Sequence, residues 1–399
     1  MTRSALPSII LVFCLSVLAP AIASAQIKAD SMVFVMRLGR DTTHIIWTVR
    51  EGERVWLRMV ERAPKVALRI TQATLNSDGS VARLEQLSFD PAAPPASPPT
   101  GRTLLEVRGD STAVVHGDSS AFAMGVEPNS RPAAFAGRAH MMNNLFMVNS
   151  WPVLAAYAPA TVGDSVIGWH YPMASLGMRR MVLRRISSDW VSLGSDVMGT
   201  VRVRQDAQGR AVEIDALGSS WNLHGKRVAW LDSDSVVEAL LERERREGAL
   251  GSVSPSGTAQ ANVHGASLRV DYGRPFKRRR EIFGGIVPWN RVWRTGAGPA
   301  TLFTTDRTLT FGEAIVPAGS YTLWTLPAPE GWMLIINRQT GQWGTLYDES
   351  HDFVRVPMRV RSLAEPVEQF TIRIEAVGSG GVLRLIWDTT EASAAFSIR

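Results

Sequence analysis

The chain has 399 residues, a formal charge of +6, 45% hydrophobic and 20% charged residues, and one cysteine. These totals describe a globular protein and exclude a disordered one. With Cys14 alone, disulfides, thiolate nucleophiles and cysteine-bound metal are excluded wherever the first residues are removed. Arg3, the apolar run from Leu6 to Ala23 and the triplet Ala23-Ser24-Ala25 read as a secretory signal, so residues 1–25 are expected to be cleaved and the mature chain to begin near Gln26. The run ends in small and helix-breaking residues, so no stable membrane span is expected after cleavage. Phe13 ahead of Cys14 argues against a lipid anchor. The expected location is therefore periplasmic or extracellular.

What remains exceeds the roughly 250–300 residues at which a single core stops growing, so at least two cores are expected. From Ser31 to Val60 apolar and polar residues alternate, as in Leu57-Arg58-Met59, and period two means strands. The texture recurs at Ala67–Leu75, Ala82–Phe89, Leu104–Arg108, Ala113–His116, Met181–Ile186, Trp190–Leu193, Val197–Arg204 and Ala211–Ala216. Between these runs lie turn signals, among them Ser77-Asp78-Gly79 and the Gly-Asp-Ser triplets at 109–111, 117–119 and 163–165. The Pro- and Ala-rich stretch 90–100 reads as an extended loop, and Met141–Tyr157, apolar but interrupted by Asn143, Asn144, Asn149 and Pro152, as a short buried helix. Ser235-x-x-Glu238 reads as a capping box opening a helix that stops at Gly248.

Residues 26–247 are thus expected to form an antiparallel β domain closed by a helix, 248–260 a flexible Gly/Ser-rich linker, and 261–399 a second domain. In the second domain strands read at Ser267–Tyr272, Thr301–Thr305, Leu309–Phe311, Tyr321–Leu326, Trp332–Asn337, Gln342–Tyr347, Gln369–Ala376, Val382–Asp388 and Ala395–Ile398. Short strands without a long helix predict a β-sandwich or jelly roll. The fold class is mainly β: a curved antiparallel sheet with a few helices, followed by a sandwich-like domain.

Val270-Asp271-Tyr272-Gly273-Arg274-Pro275, Ile282-Phe283-Gly284-Gly285-Ile286-Val287-Pro288, Val292-Trp293-Arg294-Thr295-Gly296-Ala297, Pro317-Ala318-Gly319-Ser320-Tyr321-Thr322-Leu323 and Asn337 with Trp343-Gly344 follow one another in order. On these blocks the second domain resembles the bacterial family known as domain of unknown function 2911. It departs from the family pattern at Trp289-Asn290-Arg291 and at Gly298. The resemblance implies an exported β-rich domain and no known activity. The first domain, through its run of strands, its Asp206-x-x-Gly209-Arg210 turn and its late return strand, resembles the curved sheets that carry lipoproteins and other apolar ligands.

Chemistry-bearing patterns are few. The histidines at 44, 116, 140, 170, 224, 264 and 351 show no i, i+4 or His-x-His spacing, so no metal site is expected, and nothing implies a cofactor. Asp348, Glu349 and Asp352 lack the spacing of a calcium loop. The basic run Lys277-Arg278-Arg279-Arg280 has no interleaved aromatics and is expected to be solvated, with no nucleic-acid partner. Tyr272, Arg274, Trp293, Arg294, Thr295, Trp343, Tyr347 and Asp348 remain as candidate ligand-binding residues: a guanidinium between aromatic rings can stack and bind a carboxylate bidentately, or tie loops to backbone carbonyls. The thirteen tryptophans read either as core filling or as platforms for a glycan or lipid. The functional expectation is an exported, non-catalytic protein binding an apolar or glycan-like ligand or an envelope protein. The alternative is a hydrolase using Arg274 or Arg294 as a clamp, with Asp348 or His351 as acid or base.

Overall fold

In a computed structural model, residues 31–399 are described apart from 78, 95, 109–111, 118–130, 135–138, 143–146 and 172–178. The expected signal at 1–25 and two of the Gly-Asp-Ser triplets lie wholly or partly outside the described residues. The third is a turn, with Gly163 at φ +95°.

The alternating runs form two sheets. The first contains β1 (Ser31–Leu38), β2 (Asp41–Glu51), β3 (Arg54–Glu61), β4 (Ala67–Leu75), β5 (Val81–Phe89), β6 (Gly101–Arg108), β7 (Thr112–Gly117) and β8 (Arg131–Ala134). It continues through β9 (Ala139–Met142), β10 (Ser165–Tyr171), β11 (Arg179–Arg185), β12 (Trp190–Ser195), β13 (Gly199–Gln205), β14 (Ala211–Ala216) and β15 (Leu223–Val228). Its spatial order is β8 back to β1, then β15 back to β9, so the return strand β15 joins the two arms by pairing with β1. All pairs are antiparallel except β9 with β10.

The topology forces curvature. Fourteen steps of about 4.8 Å make the sheet roughly 67 Å across. Yet its end strands β8 and β9 are joined by four residues, which span at most about 18 Å from Ala134 to Ala139. The sheet must therefore curl until its ends approach, and β9 touches β5 of the opposite arm. Inside the curl lies α1 (Met147–Ala155), which touches β2 and β3 on one arm and β12 to β14 on the other.

Outside lies α2 (Ser233–Glu247), packing Val236, Val237, Leu240 and Leu241 against Val33, Ile45, Trp47 and Val60. Its cap is Asp232, three residues before the Ser235 expected from sequence, because the Asp232 carboxylate accepts from Ser235 N at 2.8 Å. The expected stop holds: Gly248 N donates to Glu244 O.

The second sheet is built from β16 (Ser256–Val263), β17 (Ala266–Gly273), β18 (Thr301–Thr305), β19 (Leu309–Phe311), β20 (Ala314–Val316), β21 (Gly319–Leu326), β22 (Trp332–Asn337), β23 (Asp352–Val377) and β24 (Gly380–Ile398). Its order is β16-β17-β18-β21-β22-β23-β24-β19-β20. The 26-residue β23 pairs with β22 through its first part and with β24 through the rest, carrying the chain from one layer to the other. Side chains of β17, β18, β19, β21, β22, β23 and β24 consequently share one core.

Three expectations change, the first being that the strand expected at Gln369–Ala376 is the last part of β23. Ser256–Gln260, expected as the tail of a flexible linker, are the start of β16, because their short alternating side chains pair in register with β17 at the sheet edge. The strand expected at Gln342–Tyr347 is absent: Gly341 turns at φ +82°, and Gly344 N bonds Gly298 O instead of a sheet neighbour.

The basic run is not simply solvated. Lys277 pairs with Asp388, Arg278 with Asp41 of the first sheet at 2.9 Å, and Arg280 donates to the Lys277 and Phe276 carbonyls. Gly39, in the β1–β2 turn at φ +62°, lies under this loop; a Cβ there would stand 2.6 Å from Arg278 O. Gly39→Val is therefore expected to lower stability by about 1–3 kcal/mol, readable as a shift of the urea midpoint. Gly52→Val, at φ +61° with open space around it, is expected to cost less, and equal costs would mean that the loop contact contributes nothing.

Candidate functional site

Strand alternation decides which side chains enter the curl. Phe34, Met36 and Leu38 of β1 point inward, with Ile46 of β2 and Met59 of β3. The other arm contributes Met181, Leu183, Val191, Leu193, Val201, Val203 and Ile214, and Met198 joins them from the β12–β13 turn. These side chains close on Trp151, Leu154 and Ala155 of α1. Gly225, paired with Met36, has no side chain because a Cβ would strike the Met36 sulfur. Unbranched thioethers adapt to irregular shapes, so this wall is both apolar and deformable.

The helix end and the chain just after it are hydrogen-bonded to the β11–β13 arm. Gln205 Nε2 donates to Ala155 O at 3.0 Å, and Arg185 Nε donates to Pro159 O at 2.9 Å. Across the interior, the Tyr157 ring fills the place of the missing Gly79 side chain, with the Arg50 guanidinium 5.1 Å from its centre.

The β2–β6 arm differs in chemistry. Register aligns Thr48, Leu57, Thr71, Gln86 and Thr103 in one row across five strands, on the face that carries Ile46 and Met59. Thr48 and Thr71 are fully buried and Gln86 is 2% exposed, yet Thr48 Oγ1, Thr71 Oγ1 and Gln86 Nε2 have no partner among the described residues. Beside this row Arg69 is ion-paired to Glu61 and donates to Ser88 Oγ at 2.9 Å.

Further atoms without a partner among the described residues face the same interior: Trp151 Nε1 and both ring nitrogens of His170, which by register shares the face of Met181. Burial pushes the His170 imidazole down to about 4, with Asp196 opposing and Arg179 adding to the fall. His44, two rows from Thr48 and paired in register with Glu61, is likewise lowered to about 4 by burial, with Glu61 opposing and Arg69 adding. Each unpartnered buried group costs about 1–3 kcal/mol, and a set of them on one enclosed face calls for a ligand or water to complete it.

The residues singled out from sequence separate into groups. Tyr272 OH accepts from Ile372 N at 2.8 Å, and Arg274 donates to Phe370 O and Thr371 Oγ1; both tie β17 and its following loop to β23. Trp293 stacks on Trp387 at 5.9 Å and meets Phe283 and Phe370 edge-on, so this part of the tryptophan excess fills the core. Thr295 is buried, its hydroxyl donating to Trp293 O and Thr325 Oγ1.

Tyr347 donates to Asp352 at 2.6 Å and is raised by burial and by that bond. Asp348 caps the 3-10 turn Glu349–His351 and lies 3.1 Å from His351; its carboxyl is lowered chiefly by the Ser350 hydroxyl. Arg294 and Trp343 meet neither set. Arg294 lies across Gly344, makes no hydrogen bond or ion pair among the described residues, and is lowered to about 10 by burial alone.

The interior row escapes inspection of the chain, because Thr and Gln in alternating strands look like solvent-facing residues until register places them. Among the described residues no group of three or more His, Cys, Asp or Glu side chains converges, and no helix is long and apolar enough to cross a membrane.

Residues 254–396, which take in almost all of the second sheet, match the family described as Protein of unknown function (DUF2911). The first sheet and its interior lie outside that match. No curated protein matches the chain.

Proposed function

We propose that the chain is an exported, non-catalytic binding protein of the cell envelope that holds an amphipathic, mainly apolar ligand inside the curled first sheet. The supporting observation is the pairing of a Met- and Leu-lined wall with an opposite row of buried, unpartnered Thr48, Thr71 and Gln86 atoms. Hydrocarbon fits the wall. An ester or amide head, carrying carbonyl acceptors, fits the row, beside which Glu61 and Arg69 already neutralise each other. Arg3, the apolar run that follows it and the Ala23-Ser24-Ala25 triplet support export.

Two ligands test this on the full chain. The apolar fluorophore N-phenyl-1-naphthylamine should bind saturably, and a monoacylglycerol should displace it. Thr71→Val keeps shape and removes one hydroxyl, so it should weaken the monoacylglycerol about tenfold, or 1.4 kcal/mol, while leaving the fluorophore unchanged. Absence of saturable uptake by folded protein sinks the interior site altogether. Equal loss for both ligands would remove the polar row from the reading.

A further inference from the structure

Arg294 lies in the segment between β17 and β18, where Trp293 exchanges two backbone hydrogen bonds with Thr325 of β21, at 2.8 and 2.9 Å. The Trp293 ring enters the aromatic core. Alternation along a paired segment then sends the Arg294 side chain to the opposite face. There it crosses Gly344, whose missing side chain leaves the room: a Cβ at 344 would collide with Arg294 Cδ. The backbone beneath is fixed by Gly344 N donating to Gly298 O at 3.1 Å and by the bridge between Pro299 and Trp343. Thr295, buried and at φ +52°, with its carbonyl accepting from Thr301 Oγ1, holds the other flank.

This rigid seat carries a cation with no acceptor paired to it among the described residues. Several other arginines of the second sheet have carboxylate partners, as Arg361 and Arg384 do at Glu391 and Arg355 at Asp352. For Arg294 no described residue accepts a hydrogen bond, and Nε is covered from solvent without a partner. Trp343, next to Gly344, has a buried Nε1 in the same condition. A guanidinium keeps its proton at any physiological pH, so the charge stays, and covering part of it without a counter-charge is costly. Both unpartnered groups are donors. Donors alone, one of them a planar fork, are complementary to an oxyanion.

We propose that Arg294, with the Trp343 indole N–H as second donor, is a binding site for a carboxylate or phosphate group on the second sheet, independent of the interior of the first. A structural arginine and an anion seat respond oppositely to removal of the charge. The full chain is to be unfolded thermally in an anion-poor buffer and again with millimolar inorganic phosphate or acetate at constant ionic strength, with chloride as control. Phosphate or acetate should raise the native melting temperature more than chloride does. The stronger of the two identifies the head group.

Arg294→Met should abolish that rise and, without the anion, melt no lower than the native chain. Trp343→Phe should retain the fold and weaken the anion at least fivefold. The Trp343 indole proton resonance should move on titration of the native chain and stay put in the Arg294→Met chain. Destabilisation by Arg294→Met in anion-poor buffer, together with a native melting temperature indifferent to phosphate and acetate, would overturn the site and make Arg294 a packing residue.

Discussion

Between pH 6.5 and pH 4 the curled sheet is expected to lose stability steeply, by roughly 3 kcal/mol through His170 and by a similar or smaller amount through His44. Both imidazoles lie at about 4 in the folded protein, against 6.5 for the unfolded chain, and burial is the first cause for each. The unfolded chain therefore takes up protons that the folded one refuses. The contribution is whole above pH 6.5, declines as pH falls, and is spent near pH 4. Neighbouring charges divide the same way at both sites, Asp196 against Arg179 and Glu61 against Arg69. The depressed carboxylates, such as Asp206 with Arg210 and Arg227 or Glu391 with Arg361 and Arg384, act in the same direction but at lower pH. Urea midpoints at pH 7, 6, 5 and 4.5, read by tryptophan fluorescence, should fall progressively. In His170→Phe, where the ring stays apolar, about half of the slope should disappear. A midpoint unchanged from pH 7 to 5, or a slope indifferent to that substitution, would mean that His170 is hydrated or partnered when folded.

Strand existence was readable because alternation is a local property. Val201 and Val203 against Arg202 and Arg204 declare two faces without any knowledge of neighbours. Curvature was expected only through the resemblance to curved-sheet carriers, since it arises from a global fact: strands at the two ends of the pairing order are consecutive in the chain. The same distinction explains what was missed in the second sheet. The part of β23 before Gln369 went unrecognised because Pro357, Pro366 and alternating arginines look like a loop, whereas Pro357 pairs in register with Met333 and Pro366 falls where the register with β24 breaks.

Site residues followed this division too. Tryptophan and arginine attract attention by type, yet Trp293 proves to be core and Arg274 a tie to β23, while Arg294 stands out only once its partners can be counted. Thr71 and Gln86 are unremarkable letters. They acquire meaning when register sets them opposite each other, inward and unpartnered.

Trp151→Ala carries the other large effect and links stability to the proposed cargo. Its ring is 1% exposed at the centre of the interior core, on a helix that touches both arms of the sheet. Truncation should cost about 3–5 kcal/mol, because neither arm can close the gap without breaking the register that holds the other. Trp151→Phe separates volume from polarity: it discards the unpartnered Nε1, leaves a smaller void, and should cost under about 1.5 kcal/mol. The alanine variant, studied in low urea where it remains folded, then has an added void lined by Met, Leu and Val side chains, and such voids accept apolar molecules. N-phenyl-1-naphthylamine should therefore bind it more tightly than it binds the native chain, and saturating fluorophore should restore part of the lost midpoint. If Trp151→Ala is destabilised as stated but binds the fluorophore no differently, the ligand does not enter beside α1, and the interior of the curl is core alone.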